Sequence, residues 1–137
     1  MKIQYLSHTA DIRMKIEAAT LQELFIAGTK GMNTILKKGF CNQNNQLKQK
    51  ARIEIQSLDY TCLLIDFLSE VLSLSYVEKA IFCKAQILKF SKYKILAEVL
   101  GDPIDYFEEE IKAVTYHEAN VQKNDNNEWE TCIIFDI

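Results

Sequence analysis

Between residues 60 and 76 the chain places Leu63, Leu64, Phe67, Leu68, Val71, Leu72 and Leu74 at positions that, wound as a helix, cover a wide arc rather than one narrow stripe. A helix that is apolar on more than one side cannot rest on a surface; other elements have to enclose it. Asp59 stands just before it as a side-chain acceptor for the exposed amides of its first turn. Whatever else the chain forms must therefore surround this helix.

The surrounding segments read mostly as strands. Residues 3–7, 12–18, 51–57, 80–90, 94–100, 112–122 and 129–137 carry extended patterns, the third alternating around Ile53 and Ile55. Ser91-Lys92-Tyr93 is a hairpin link, Gly101-Asp102-Pro103 a turn, and Asn124-Asp125-Asn126-Asn127 a turn that lets the last two runs pair antiparallel. Thr20 with Glu23 forms a capping box ahead of Leu21, Leu24, Phe25, Gly28, Met32 and Ile35, so a first amphipathic helix is expected to about Leu36. Residues 39–50, rich in Asn, Gln and Lys, read as a loop. Two helices among strands with short strand-to-strand links indicate an α+β fold, a mixed and mainly antiparallel sheet or sheets packed with two helices.

A chain of 137 residues with 48% hydrophobic content, four Gly and one Pro has the size of one domain, residues 1–137, with little material for a linker. Its formal net charge of −3 supplies no broad phosphate-attracting field, so autonomous nucleic-acid binding is not expected, although net charge is silent about distribution. The start Met1-Lys2-Ile3-Gln4 lacks a signal-peptide pattern, and Asp66 and Glu70 interrupt the most apolar stretch, short of the roughly 18 residues a span requires. A soluble, cytoplasmic protein is expected. Cys41, Cys62, Cys83 and Cys132 are scattered without a Cys-x-x-Cys, so reduced thiols are expected, with neither disulfides nor a zinc site.

Few residues are arranged for chemistry. Gly28-Thr29-Lys30-Gly31 falls inside a helical pattern and lacks the spacing that aims backbone amides at phosphates. His8 and His117 stand at strand ends with no nucleophile in a sharp turn beside either, and read as hydrogen-bonded structure. Asp11 lies at the turn after the first strand and Asp136 directly follows Ile133-Ile134-Phe135; strand alternation places Asp136 opposite Ile133 and Phe135, on a face that is simply wet in the plainest reading. If the two acids converge, the carboxylate of Ile137 adds a third anionic group, and the resulting oxygen set suits calcium or magnesium rather than metals that prefer nitrogen or sulfur.

Three blocks, His8-Thr9-Ala10-Asp11-Ile12, Lys112-Ala113-Val114-Thr115-Tyr116-His117 and Ile133-Ile134-Phe135-Asp136-Ile137, together with Leu63-Leu64-Ile65-Asp66-Phe67-Leu68 and Glu70, resemble the signatures of the archease family in order and spacing across essentially the whole chain. The resemblance implies an α+β, non-catalytic cofactor of the tRNA-splicing RNA ligase of the RtcB type, promoting its guanylylation from GTP and its multiple turnover. It also implies a divalent-cation site, calcium above all, on Asp11, Asp136 and Ile137, with Lys112 matching a lysine needed for activation. Arg13 stands where the family usually has a small Gly, and a guanidinium there would compete with a metal for the carboxylate. Phe67 and Ser69 replace a common Trp and Asn, and Glu118-Ala119 replaces a small apolar continuation. Two other classes stay open: a chaperone-like or docking module without effect on catalysis, and a small metal-dependent hydrolase, for which two carboxylates without a positioned base are thin support.

Overall fold

In the computed structural model, which describes residues 1–6, 10–43 and 45–137, the elements run β1 (Lys2–Leu6), β2 (Asp11–Ala18), α1 (Leu21–Leu36), a 3-10 turn (Phe40–Asn42), β3 (Gln49–Gln56), α2 (Tyr60–Glu78), β4 (Ala80–Phe90), β5 (Lys94–Pro103), β6 (Ala113–Thr115), β7 (Gln122–Lys123) and β8 (Trp129–Asp136). Both helix starts follow from local chemistry. The Thr20 side chain accepts from the Glu23 amide and the Asp59 side chain from the Cys62 amide, each satisfying a donor that the first turn leaves orphaned.

The strands form two antiparallel sheets. One has the order β1-β2-β8-β6, with β7 pairing the other end of the β8 edge; the second has the order β3-β5-β4. A continuous hydrophobic core joins both sheets to both helices, with Met14, Ile16, Ile133 and Phe135 from the first sheet, Ile53, Ile95, Ala97 and Val99 from the second, and Phe25 and Phe67 between. Phe25 meets Phe67 at 6.0 Å and Phe90 edge-on at 5.0 Å. The wide apolar arc of α2 is explained by this setting, since Leu63, Leu64, Ile65, Phe67, Leu68 and Val71 are all buried. By length and a hydropathy of 1.4 the helix would also pass for a membrane span, but in this fold it is a core helix.

Four readings need correction. Gly101-Asp102-Pro103 is not a turn: β5 continues to Pro103, because Asp102 takes the amides of Leu47 and Lys48 and the strand stays paired to Ala80 and Ile81. Residues 112–122 are not one strand. Pairing stops at Thr115, since the chain turns through 116–119 with Glu118 at φ 61°, and resumes only at Gln122. The loop at 39–50 contains a 3-10 turn and gives way to β3 at Gln49. Cys41 and Cys83 are joined in a disulfide: the 3-10 turn brings Cys41 alongside β4, with Cα atoms 5.4 Å apart although 42 residues separate them in sequence.

Candidate functional site

Antiparallel pairing of β2 with β8 brings the two ends of the chain together. Asp11 opens β2 and Asp136 closes β8, and the register sets them directly opposite one another. Opposed residues on neighbouring antiparallel strands project from the same face with Cβ atoms about 4.5–5.5 Å apart, where two like charges repel unless something positive lies between them. On the other side of β8, Ala113 pairs with Asp136 and the Lys112 amide donates to the Asp136 carbonyl at 2.7 Å. Three strand ends thus carry Asp11, Asp136 and Lys112 to one edge of the sheet, and Ile137 follows immediately. Asp136 and Lys112 are exposed, while Asp11 and Ile137 are half-buried.

A cleft of about 620 Å³ opens beside Asp11. Tyr5, Leu6, Ile12 and Ile35 supply its apolar wall, and Glu109 adds a further carboxylate. His117, just beyond β6, is exposed. His8 and Thr9 lie outside the described residues.

Arg13, two residues from Asp11, is held elsewhere: its guanidinium donates to the Glu118 carboxylate at 2.6 Å. Arg13 and Glu118 therefore satisfy one another. The donor set at the sheet edge suits a hard divalent cation, because it holds oxygen and neither nitrogen nor sulfur. Among the described residues no three His, Cys, Asp or Glu side chains gather as a metal cluster.

A second polar cluster escaped sequence reasoning. Asp66 accepts hydrogen bonds from the Ser57 hydroxyl on one carboxylate oxygen and the Tyr116 hydroxyl on the other. These bonds tie the start of the 116–119 turn to α2, and the amide of Val121 on the Thr61 hydroxyl fastens the turn's far side. The only sequence signal was an acid interrupting an apolar helix. The Asp66 hydrogen bond, with burial and the nearby negative charge, pushes the Tyr116 hydroxyl from 10.0 up to about 12. Because the folded value is raised, the stabilisation is complete below pH 10 and is lost as pH climbs through about 12. In an alkaline titration followed by tyrosinate absorbance, Tyr116→Phe is expected to remove the late step and Asp66→Asn to move it down; an unchanged late step in both would contradict the assignment.

Residues 4–137 match the family model described as the Archease protein family. Curated relatives align end to end: a protein archease of Methanosarcina acetivorans is 32% identical over 99% of this chain and 96% of its own, one of Methanosarcina barkeri 30% identical over 98% and 94%, and a protein archease-like of Drosophila melanogaster 29% identical over 100% and 91%. In fold, the chain is similar to the solution structure of Methanobacterium thermoautotrophicum protein 1598, with a TM-score of 0.78, 22% identity and 98% of both chains covered. It is also similar to the crystal structure of an archease from Thermotoga maritima, described as a possible chaperone, with a TM-score of 0.60, 18% identity and coverage of 100% and 98%.

Proposed function

The chain belongs to the archease family, and from that premise we propose that it is a protein cofactor of the tRNA-splicing RNA ligase, promoting the ligase's guanylylation and multiple turnover without catalysing a reaction itself. The observation that carries this reading is the register of β2 on β8, which opposes Asp11 and Asp136 beside Lys112 at one exposed sheet edge. Such an edge is a small charged tip able to enter the mouth of a partner's active site.

Asp11, Asp136 and the main-chain oxygens of Ile137 are the groups that would hold a divalent cation, calcium being the best match to an all-oxygen set. When bound, the cation supplies charge neutralisation between the opposed carboxylates. Glu118 keeps the Arg13 guanidinium engaged away from that role. Lys112 stands on the far side of Asp136, where its ammonium can meet a phosphate of the partner's nucleotide or offset an acid. The description of the Thermotoga maritima archease as a possible chaperone favours a partner protein, and it also motivates the second reading, a docking module that leaves catalysis unchanged.

A ligation assay separates the two. Purified ligase, GTP and RNA ends are incubated with and without this chain; several joins per ligase molecule are expected with it and about one without. Equal yields in the two arms would sink the activation reading. Turnover of nucleotides or cyclic phosphates by this chain alone would instead support a hydrolase.

A further inference from the structure

The face of the β3-β5-β4 sheet turned away from the helices is basic. On one side of the sheet, Ile53, Ile95, Ala97 and Val99 enter the core. Alternation sends their neighbours outward, and the register sets these in rows: Lys50, Leu100 and Lys84 side by side, then Arg52, Glu98 and Gln86, then Glu54, Leu96 and Lys89, with Lys94 opposite Gln56 at the end. Lys48 precedes the first row, at the loop whose amides cap the one further acid of that side, Asp102. Six cations (Lys48, Lys50, Arg52, Lys84, Lys89, Lys94) against three carboxylates (Glu54, Glu98, Asp102) leave this face at +3, so in a chain of net −3 the remainder carries −6. Among the described residues nothing covers the face: the side chains of Lys50 and Arg52 are 63% and 64% exposed.

We propose that this sheet face is a docking surface for the sugar-phosphate backbone of RNA. Charge complementarity selects a polyanion. On β3, Lys50 and Arg52 stand two residues and about 6.7 Å apart, a spacing commensurate with successive phosphates of an extended strand, and across the sheet the partly exposed Leu96 and Leu100 of β5 separate the cations of β3 from those of β4. The ion pairs already present do not block the surface. Lys50 and Arg52 share the largely buried Glu98 at 3.5 and 3.8 Å and Lys94 meets Glu54 at 3.5 Å; the cations themselves stay exposed to solvent, and ion pairs at such a surface hold weakly enough that a cation can also engage a phosphate. Arg52 can grip a phosphate bidentately. No aromatic residue stands in the rows to stack a base, so the contact reads backbone and not sequence.

The choice of RNA over other polyanions rests on the ligase reading; the basic surface itself does not. With few phosphates neutralised, affinity of the isolated chain is low, consistent with its negative net charge. The surface matters when the ligase already holds the RNA, because tethering raises the effective concentration of the second contact.

Fluorescence anisotropy of a labelled single-stranded RNA oligomer with the full chain tests this. Neutralising three or four phosphates predicts a slope of log K on log salt of about −2 to −3, hence a loss of about 20- to 50-fold between about 50 and 200 mM salt. The double variant Arg52→Glu/Lys84→Glu, at exposed positions, should reduce binding at low salt at least about tenfold, while Glu54→Gln should strengthen it. Wild-type binding by the double variant, with its fold checked by circular dichroism, would overturn the proposal. So would polyglutamate displacing RNA at equal charge concentration, which would assign the face to an acidic protein. Asp136→Ala is expected to bind RNA as wild type does. No ligase is present, so loss of this proposal and loss of ligase activation are separate results.

Discussion

Asp136→Ala is expected to reduce ligase turnover to about a single round per molecule while leaving thermal unfolding of this protein unchanged. Asp136 is exposed at the last position of β8, and its carbonyl, not its side chain, takes the Lys112 amide at 2.7 Å, so alanine keeps the pairing. What is lost is one of two opposed carboxylates. If these are the principal ligands of a cation, the loss in activation should reach at least about 100-fold, since removing groups that merely support a metal ligand costs about 10- to 100-fold. Multiple-turnover ligation measured beside a melting curve checks both halves. Retained turnover would remove Asp136 from the site, and a collapsed melting curve would make its role structural.

The reverse pattern is expected at Gly101. A Cβ built there would stand 2.2 Å from the Ile81 carbonyl oxygen and 2.7 Å from the Phe82 Cα, both backbone atoms of the neighbouring strand that cannot rotate aside. Gly101→Ala must therefore push β4 away from β5 in the region where Ile81, Phe82 and Val99 are buried. A destabilisation of about 3 kcal/mol is expected, the upper end for overpacking, and with it a fall in melting temperature of about 10 °C. Urea denaturation measures it directly. A loss below about 1 kcal/mol would mean that the two strands part more easily than their close approach implies.

These two residues also mark how far local pattern reaches. The enclosed α2 was legible because its apolar arc is written in one continuous stretch, and the caps at Thr20 and Asp59 because each acts within three residues of itself. The α+β architecture followed from counting such local elements. Gly101-Asp102-Pro103 carries strong turn chemistry, but its conformation is decided by Leu47, Lys48 and Ile81, residues remote in sequence. The Cys41–Cys83 bridge is equally non-local, and scattered spacing cannot announce it. For the candidate site, Asp11 and Asp136 could be named individually, but only the family resemblance paired them. Arg13 looked like a competitor for the acids because its neighbour in sequence was visible and its partner, Glu118, was not. Asp66 looked like a mere interruption for the same reason, Ser57 and Tyr116 arriving from two other segments.

The position of β8 has a bearing on how the protein comes into being. It is the last strand in the chain yet lies inside its sheet, between β2 and β6. Until it inserts, β2 and β6 present raw edges, and the loop that must close to bring Asp136 opposite Asp11 runs through every element between them, the slowest kind of contact to form. The acid pair therefore forms only once β8 has paired with β2. Any property that needs the two carboxylates side by side waits on the insertion of β8 between β2 and β6.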